Sequence, residues 1–175
     1  MALALDATVP DFTLPDTEGR RESLAAADSA ATVVVFTCNH CPYALAWHER
    51  INDVARDYAG RGVRVLQVNP NDAGRYPRDS PAAMKERVDR GEFATPYLHD
   101  ETQEVARAWG ARATPDVFVV DREGRLRYRG APDAEHGDPG LRAEWLRAAL
   151  DELLAGRPVS RPQTEPVGCS IKWRA

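Results

Sequence analysis

The sequence predicts an α/β domain on a mixed sheet, parallel in its first half and antiparallel in its second. Two apolar runs rich in β-branched residues, ATVVVF (31–36) and VRVLQVN (63–69), flank a stretch of helical periodicity, the pattern of a parallel βαβ unit. Farther along, DVFVVD (116–121) and RLRYRG (125–130) are joined by the three residues REG, which favours an antiparallel hairpin. At 175 residues, 43% of them apolar, the chain suits a single domain with one substantial core.

Each element has a local reason. ATVVVF is apolar without alternation, as in a strand covered on both faces. Beyond Cys41, the residues Trp47, Ile51, Val54, Ala55 and Tyr58 mark one helical face, with Pro42 suited to the first turn and Gly60 and Gly62 to the end. Ser80-Pro81 reads as an N-cap and first turn of a short helix reaching about Arg90. A short strand around PYLHD and a helix from about Glu101 to Trp109 follow. Asp138-Pro139 is expected to open the last helix, with Leu141, Trp145, Leu146, Ala149, Leu150, Leu153 and Leu154 as its apolar stripe and Gly156 at its end. Three prolines between Arg157 and Pro166 favour an extended tether. The expected division is a domain over 1–156 and a tail over 157–175 that docks through VGCSIKW.

A formal net charge of −4 argues against nucleic-acid and membrane partners, which need a concentrated basic face. Lys85 and Lys172 are the only lysines. The opening MALALDATVPDF has neither a basic nor a long apolar leader segment, so a soluble cytoplasmic protein is expected. Three cysteines do not make a secreted disulfide framework.

Two of them, Cys38 and Cys41, stand in FTCNHCPYA, between a buried strand and a helix. Such a pair can be a redox couple, half of a metal site or two inert core thiols. A helix start favours a thiolate, and His40, if protonated, adds a neighbouring positive charge. In the redox reading Cys38 attacks a substrate disulfide and Cys41 resolves the mixed disulfide. A zinc site would need further ligands, and only scattered ones are on offer: His40, His48, His136 and Cys169.

Strand, CNHCP, helix, strand, and then ATP ahead of DVFVVD resemble the thioredoxin superfamily. VPDFTLPDTEGR resembles the amino-terminal extension of its redoxin branch, while FTCNHCPYA, NPNDAGRYPRDSPAAM and GCSIKW are similar to peroxiredoxin-like thioredoxin-domain proteins. The resemblance implies a three-layer thioredoxin-like fold with a central mixed sheet and flanking helices. It also implies a cis Thr114-Pro115 bond facing the cysteines, with Pro115 keeping metal off the pair, and a thiol-disulfide oxidoreductase without cofactor. The partners so implied are a disulfide-containing protein or small molecule and a dithiol reductant, the substrate pairing as an extended segment beside Thr114.

Departures from the family pattern bear on the chemistry. Aligned on Cys41, the places of the peroxidatic proline and hydroxyl hold Val34 and Cys38, and the place of the peroxide-binding arginine falls near Pro115. A weak thiol peroxidase is therefore the second reading, and a metal module using Cys38 and Cys41 with His40 or Cys169 the third. The buried aspartate of thioredoxins is replaced by Thr32, leaving Asp72 or His40 for its role. His40 is a candidate for tuning Cys38, and Asn39 for holding the loop. Trp47, Trp109, Trp145 and Trp173 are expected in packing roles, and His48 at the surface. For Cys169 the favoured expectation is a thiol that helps the tail dock; the alternative is a third active-site thiol that bridges to Cys38 or guards it.

Overall fold

A computed structural model describes residues 3–26 and 28–175. In chain order its elements are β1 (Thr13–Pro15), β2 (Arg21–Ser23), β3 (Ala31–Phe36), α1 (Pro42–Ala59), β4 (Val63–Asn69), α2 (Pro81–Asp89) and β5 (Tyr97–His99). There follow α3 (Glu104–Trp109), β6 (Ala113–Thr114), β7 (Asp116–Asp121), β8 (Leu126–Gly130), α4 (Glu144–Leu154) and β9 (Cys169–Ser170). The central sheet runs β5-β4-β3-β7-β8. Its β5-β4-β3 half is parallel, and β7 and β8 pair antiparallel, as the sequence predicts.

Every residue of β3 and β7 is buried because the sheet is covered on both sides. On one face Val33, Val35, Val117 and Val119 pack with Trp47 and Ile51 of α1 and Leu146 and Leu150 of α4. On the other, Val34, Phe36, Phe118 and Val120 pack with Phe12 and Trp109, whose rings meet edge to face. Alternate residues of one apolar strand thus feed two cores, giving the three layers expected. Among the described residues, no helix is long and apolar enough to cross a membrane.

Two helices start later than expected. The last begins at Glu144, because Asp138 closes a turn by accepting the N–H of Gly140 at 2.9 Å, and Ala143 is left-handed at φ 62°. Leu141 therefore lies outside the helix. The third begins at Glu104, because Gln103 is left-handed at φ 65° and donates its side-chain amide to the carbonyls of Pro70 and Lys172. His48 is buried rather than exposed: the 90–94 segment lies over α1, and Nε2 contacts the Glu92 carbonyl at 2.5 Å.

The tail is a strap. Arg129 of β8 donates its N–H to Pro162 O at 3.0 Å and receives the N–H of Thr164 at 3.0 Å. Farther on, Ile171 enters the second core, Asp72 N–H donates to Lys172 O at 2.9 Å, and Trp173 lies under the Arg107 guanidinium.

Asp133 fastens α1 to the approach to α4. Fully buried, it accepts Trp47 Nε1 at 2.8 Å, the Arg50 guanidinium at 2.9 Å and the Ala143 N–H at 2.9 Å. Asp133→Ala strands those donors and should destabilise the fold by about 3–5 kcal/mol in denaturant titration; a loss within about 0.5 kcal/mol, the range of an ordinary surface change, would refute the role. Asp116 offers a pH test. Burial pushes its carboxyl up to about 6, against the hydrogen bond from the Arg112 N–H, and one oxygen has no partner. The folded state therefore holds this proton more tightly than the unfolded chain, and the contribution to stability falls as pH rises from about 4 through about 6. The stability of Asp116→Asn relative to wild type should rise over that window by roughly 2–3 kcal/mol, whereas a pH-independent difference would contradict it.

Candidate active site

Residues 38–41 form the turn between β3 and α1. Cys41 is the N-cap of α1, in extended conformation, and Pro42 occupies the first helical position, where a missing N–H leaves no bond unmade. Cys38 is 1% and Cys41 0% exposed, and both pack against Ala44 and Cys169. Thr114, joined to Pro115 by a cis bond, supplies the opposite wall. Its Oγ1 lies 3.4 Å from Cys38 Sγ and its carbonyl oxygen 3.2 Å from Cys41 Sγ.

The two thiols are shifted in opposite directions, Cys41 down and Cys38 up. Cys41 is pushed down, first by the neighbouring Cys38 thiol and then, against burial, by the Cys169 thiol and the nearby N–H groups of Ala44 and Cys169. Cys38 is pushed up by donating to Cys41, by burial and by the charge of Asp79. As a thiol Cys41 donates to the Thr114 carbonyl, while the positive end of the helix favours its thiolate. The sequence places the thiolate at Cys38; the structure differs because the N-cap position, closest to the free N–H groups, belongs to Cys41.

The residues between the thiols are held by a polar network around Asp79, which has no exposed surface. Asp79 accepts the Asn39 N–H at 2.7 Å and the side-chain amides of Asn69 and Asn71 at 3.1 Å each. His40 Nδ1 stands 2.6 Å from Asp79 Oδ2, an ion pair by distance without an aligned hydrogen bond, and its ring stacks on Tyr76. Asn39 donates to Arg78 O and accepts from Arg87 and the Tyr97 hydroxyl. Asn39 is thus a clamp, and His40 is fixed beside Cys38. Sequence reasoning missed Asp79, Arg87 and Tyr97; the one signal was the segment NPNDAGRYPRDSPAAM, which contains Asp79.

Cys169 lies opposite Thr114 in the antiparallel β6–β9 ladder, with Ser170 opposite Ala113. The backbone expected to receive a substrate strand is therefore paired with the chain's own tail. Gly168 permits this approach, since a Cβ there would run into the Thr114 carbonyl. Asp72, a candidate for the missing buried aspartate, instead accepts the Gly74 N–H and faces the tail at Arg174.

Among the described residues, the group able to converge on a metal ion is Cys38, His40 and Asp79, with ligand atoms within 4.8 Å of one another. His48 and His136 lie elsewhere, at the Glu92 carbonyl and beside Tyr43 and Trp47.

A family model described as the AhpC/TSA family matches residues 5–129. The thiol:disulfide interchange protein DsbE of Allochromatium vinosum is 29% identical over 158 residues, covering 88% of this chain and 80% of that protein. The crystal structure of an uncharacterized conserved protein from Geobacillus kaustophilus superposes with a TM-score of 0.93 at 42% identity, over 98% of this chain and 93% of that one. The thioredoxin domain of a thiol-disulfide oxidoreductase from Bacteroides vulgatus is similar in fold, with a TM-score of 0.61 at 17% identity over 71% of this chain and 86% of that one. The fold is thioredoxin-like, as expected.

Thiolate absorbance near 240 nm tests the charge assignment. Reduced protein should keep one thiolate well below the ordinary thiol value of about 8.5, and Cys41→Ser should lose it while Cys169→Ser retains it. A thiolate that vanishes in Cys38→Ser and persists in Cys41→Ser would reverse the assignment.

Proposed function

The chain belongs to the AhpC/TSA family, and on that premise we propose that it is a thiol-disulfide oxidoreductase whose redox couple is Cys38 and Cys41. The observation that carries the reading is the packing of two buried thiols within a single turn at the start of α1, with Cys41 at the N-cap. A dithiol so arranged stabilises a thiolate without water, and its disulfide needs little chain movement to close.

The exchange proceeds with β9 lifted from Thr114, so that a substrate segment takes its place on the ladder. As the substrate disulfide arrives, the Cys38 proton passes to Cys41, and Cys38 attacks the nearer substrate sulfur. The farther sulfur leaves as a thiolate and takes up a proton, giving a mixed disulfide on Cys38. Cys41, its anion stabilised at the helix start, then attacks Cys38 and expels the second substrate thiol, which takes the Cys41 proton. The substrate has gained two electrons from the pair, one proton from Cys41 and one from water, and a dithiol reductant returns the electrons to the pair. His40, fixed by Asp79 and Tyr76, stands with a ring nitrogen within 4.8 Å of Cys38 Sγ, and its backbone N–H favours the Cys38 thiolate.

Two observations weigh against the other readings. A thiol peroxidase wants a hydroxyl where this chain has Cys38. The metal reading calls on Cys38 and Cys41 with His40 or Cys169, whereas the group that converges among the described residues is Cys38, His40 and Asp79, and the Asp79 oxygens already accept N–H groups from Asn39, Asn69 and Asn71.

Insulin-disulfide reduction, run beside peroxide consumption, separates the readings. Cys38→Ser should lose insulin reduction by about 10²-fold or more, and Cys41→Ser should accumulate a mixed disulfide. Wild-type activity in both variants would overturn the proposal, as would two flat assays on protein that carries stoichiometric metal.

A further inference from the structure

Resting on this oxidoreductase reading, we infer that Cys169 is a third redox thiol, which attacks Cys41 in the oxidised enzyme and carries the disulfide out to the reductant. The inference starts from an access problem. Cys38 and Cys41 are 1% and 0% exposed with the tail in place, whereas Cys169 is only partly buried. A disulfide closed between the first two is covered by the strap, and an external thiol meets Cys169 first.

Three independent features place Cys169 for attack. Its Thr114 ladder partner is the residue whose carbonyl touches Cys41. Its side chain packs in one cluster with Cys41, Cys38 and Ala44, on the side of the Thr114 carbonyl that touches Cys41. The strand is anchored on the far side of the cysteine, where Lys172 N–H donates to Asn71 Oδ1 at 2.9 Å and Arg174 N–H to Gln103 Oε1 at 2.9 Å. Anchoring of this kind makes the attack intramolecular at high effective concentration. Gly168 sharpens it, because any side chain there would push the strand off Thr114.

The step conserves electrons. The Cys169 sulfur, as thiolate, forms a bond to Cys41 Sγ; the Cys38–Cys41 bond breaks; Cys38 leaves as a thiolate and takes up the proton released by Cys169. One disulfide is exchanged for another, with no outside oxidant beyond the substrate that made the first. In the reduced state the Cys169 thiol is held up by burial and then by the neighbouring Cys41, and that second cause disappears once Cys41 is in a disulfide. The Cys41–Cys169 bridge, half-buried at the strap, is then reduced by the external dithiol.

The experiment uses full-length protein oxidised by an insulin excess, blocked with N-ethylmaleimide and mapped by mass spectrometry. Wild type should show a peptide bridge to Cys169 beside the Cys38–Cys41 bridge. Diamide-oxidised Cys38→Ser should carry the Cys169 bridge, and Cys41→Ser should lack it. With dithiothreitol as reductant, oxidised Cys169→Ser and Cys169→Ala should be reduced about tenfold more slowly than wild type. No bridge to Cys169 in any form, a bridge present only in Cys41→Ser, or unchanged reduction rates in both Cys169 variants would overturn the inference. Insulin reduction by wild type distinguishes the failures: activity without a Cys169 bridge defeats the relay alone, whereas absence of both activity and the Cys38–Cys41 bridge defeats the underlying reading.

Discussion

Two sulfurs sealed from water at the start of one helix are the constraint on which this end of the domain depends. Burial alone would raise both thiols and leave them inert. Here the start of α1, the neighbouring Cys38 thiol and Cys169 of the tail surround Cys41 and push its thiol down against that burial. The helix start requires Cys41 at the N-cap, and that requires a short turn directly from the end of β3. The parallel β3–α1–β4 unit therefore delivers the chemistry as well as the core.

A turn with so little regular structure needs outside support, and Asp79 supplies it. Its two oxygens gather the Asn39 backbone, two amides from the end of β4 and the His40 ring. Arg87 and Tyr97 hold the Asn39 side chain from the opposite direction. The loop after β4 and the start of α2 thus form a polar cradle under the cysteine turn. The opposite side is closed by Thr114 and the strap, so entry of substrate and retention of the tail compete for one ladder.

The parts of the fold legible in the sequence were those in which cause and effect are close along the chain. ATVVVF and DVFVVD announce buried strands by composition, Ser80 and Pro81 announce a helix start, and REG announces a hairpin. The cysteine pair was legible because it interrupts such a strand. What sequence hid depends on partners far away: Asp133 meets Trp47 from 86 residues on, and Asp79 meets Asn39 from 40 residues on. The late starts of α3 and α4 follow from left-handed residues selected by tertiary hydrogen bonds, not by propensity. Two extended residues in a proline-containing tail carry no periodicity, so nothing local marked Cys169 as the strand partner of Thr114.

The reduction potential of the full-length protein, measured by equilibration with glutathione redox buffers and mass-resolved thiol trapping, addresses the central claim most directly. A stabilised Cys41 thiolate favours the reduced form, so the account predicts a two-electron couple more oxidising than about −270 mV, the thioredoxin value. A couple more reducing than that, or no cysteine disulfide formed across the titration, would contradict it.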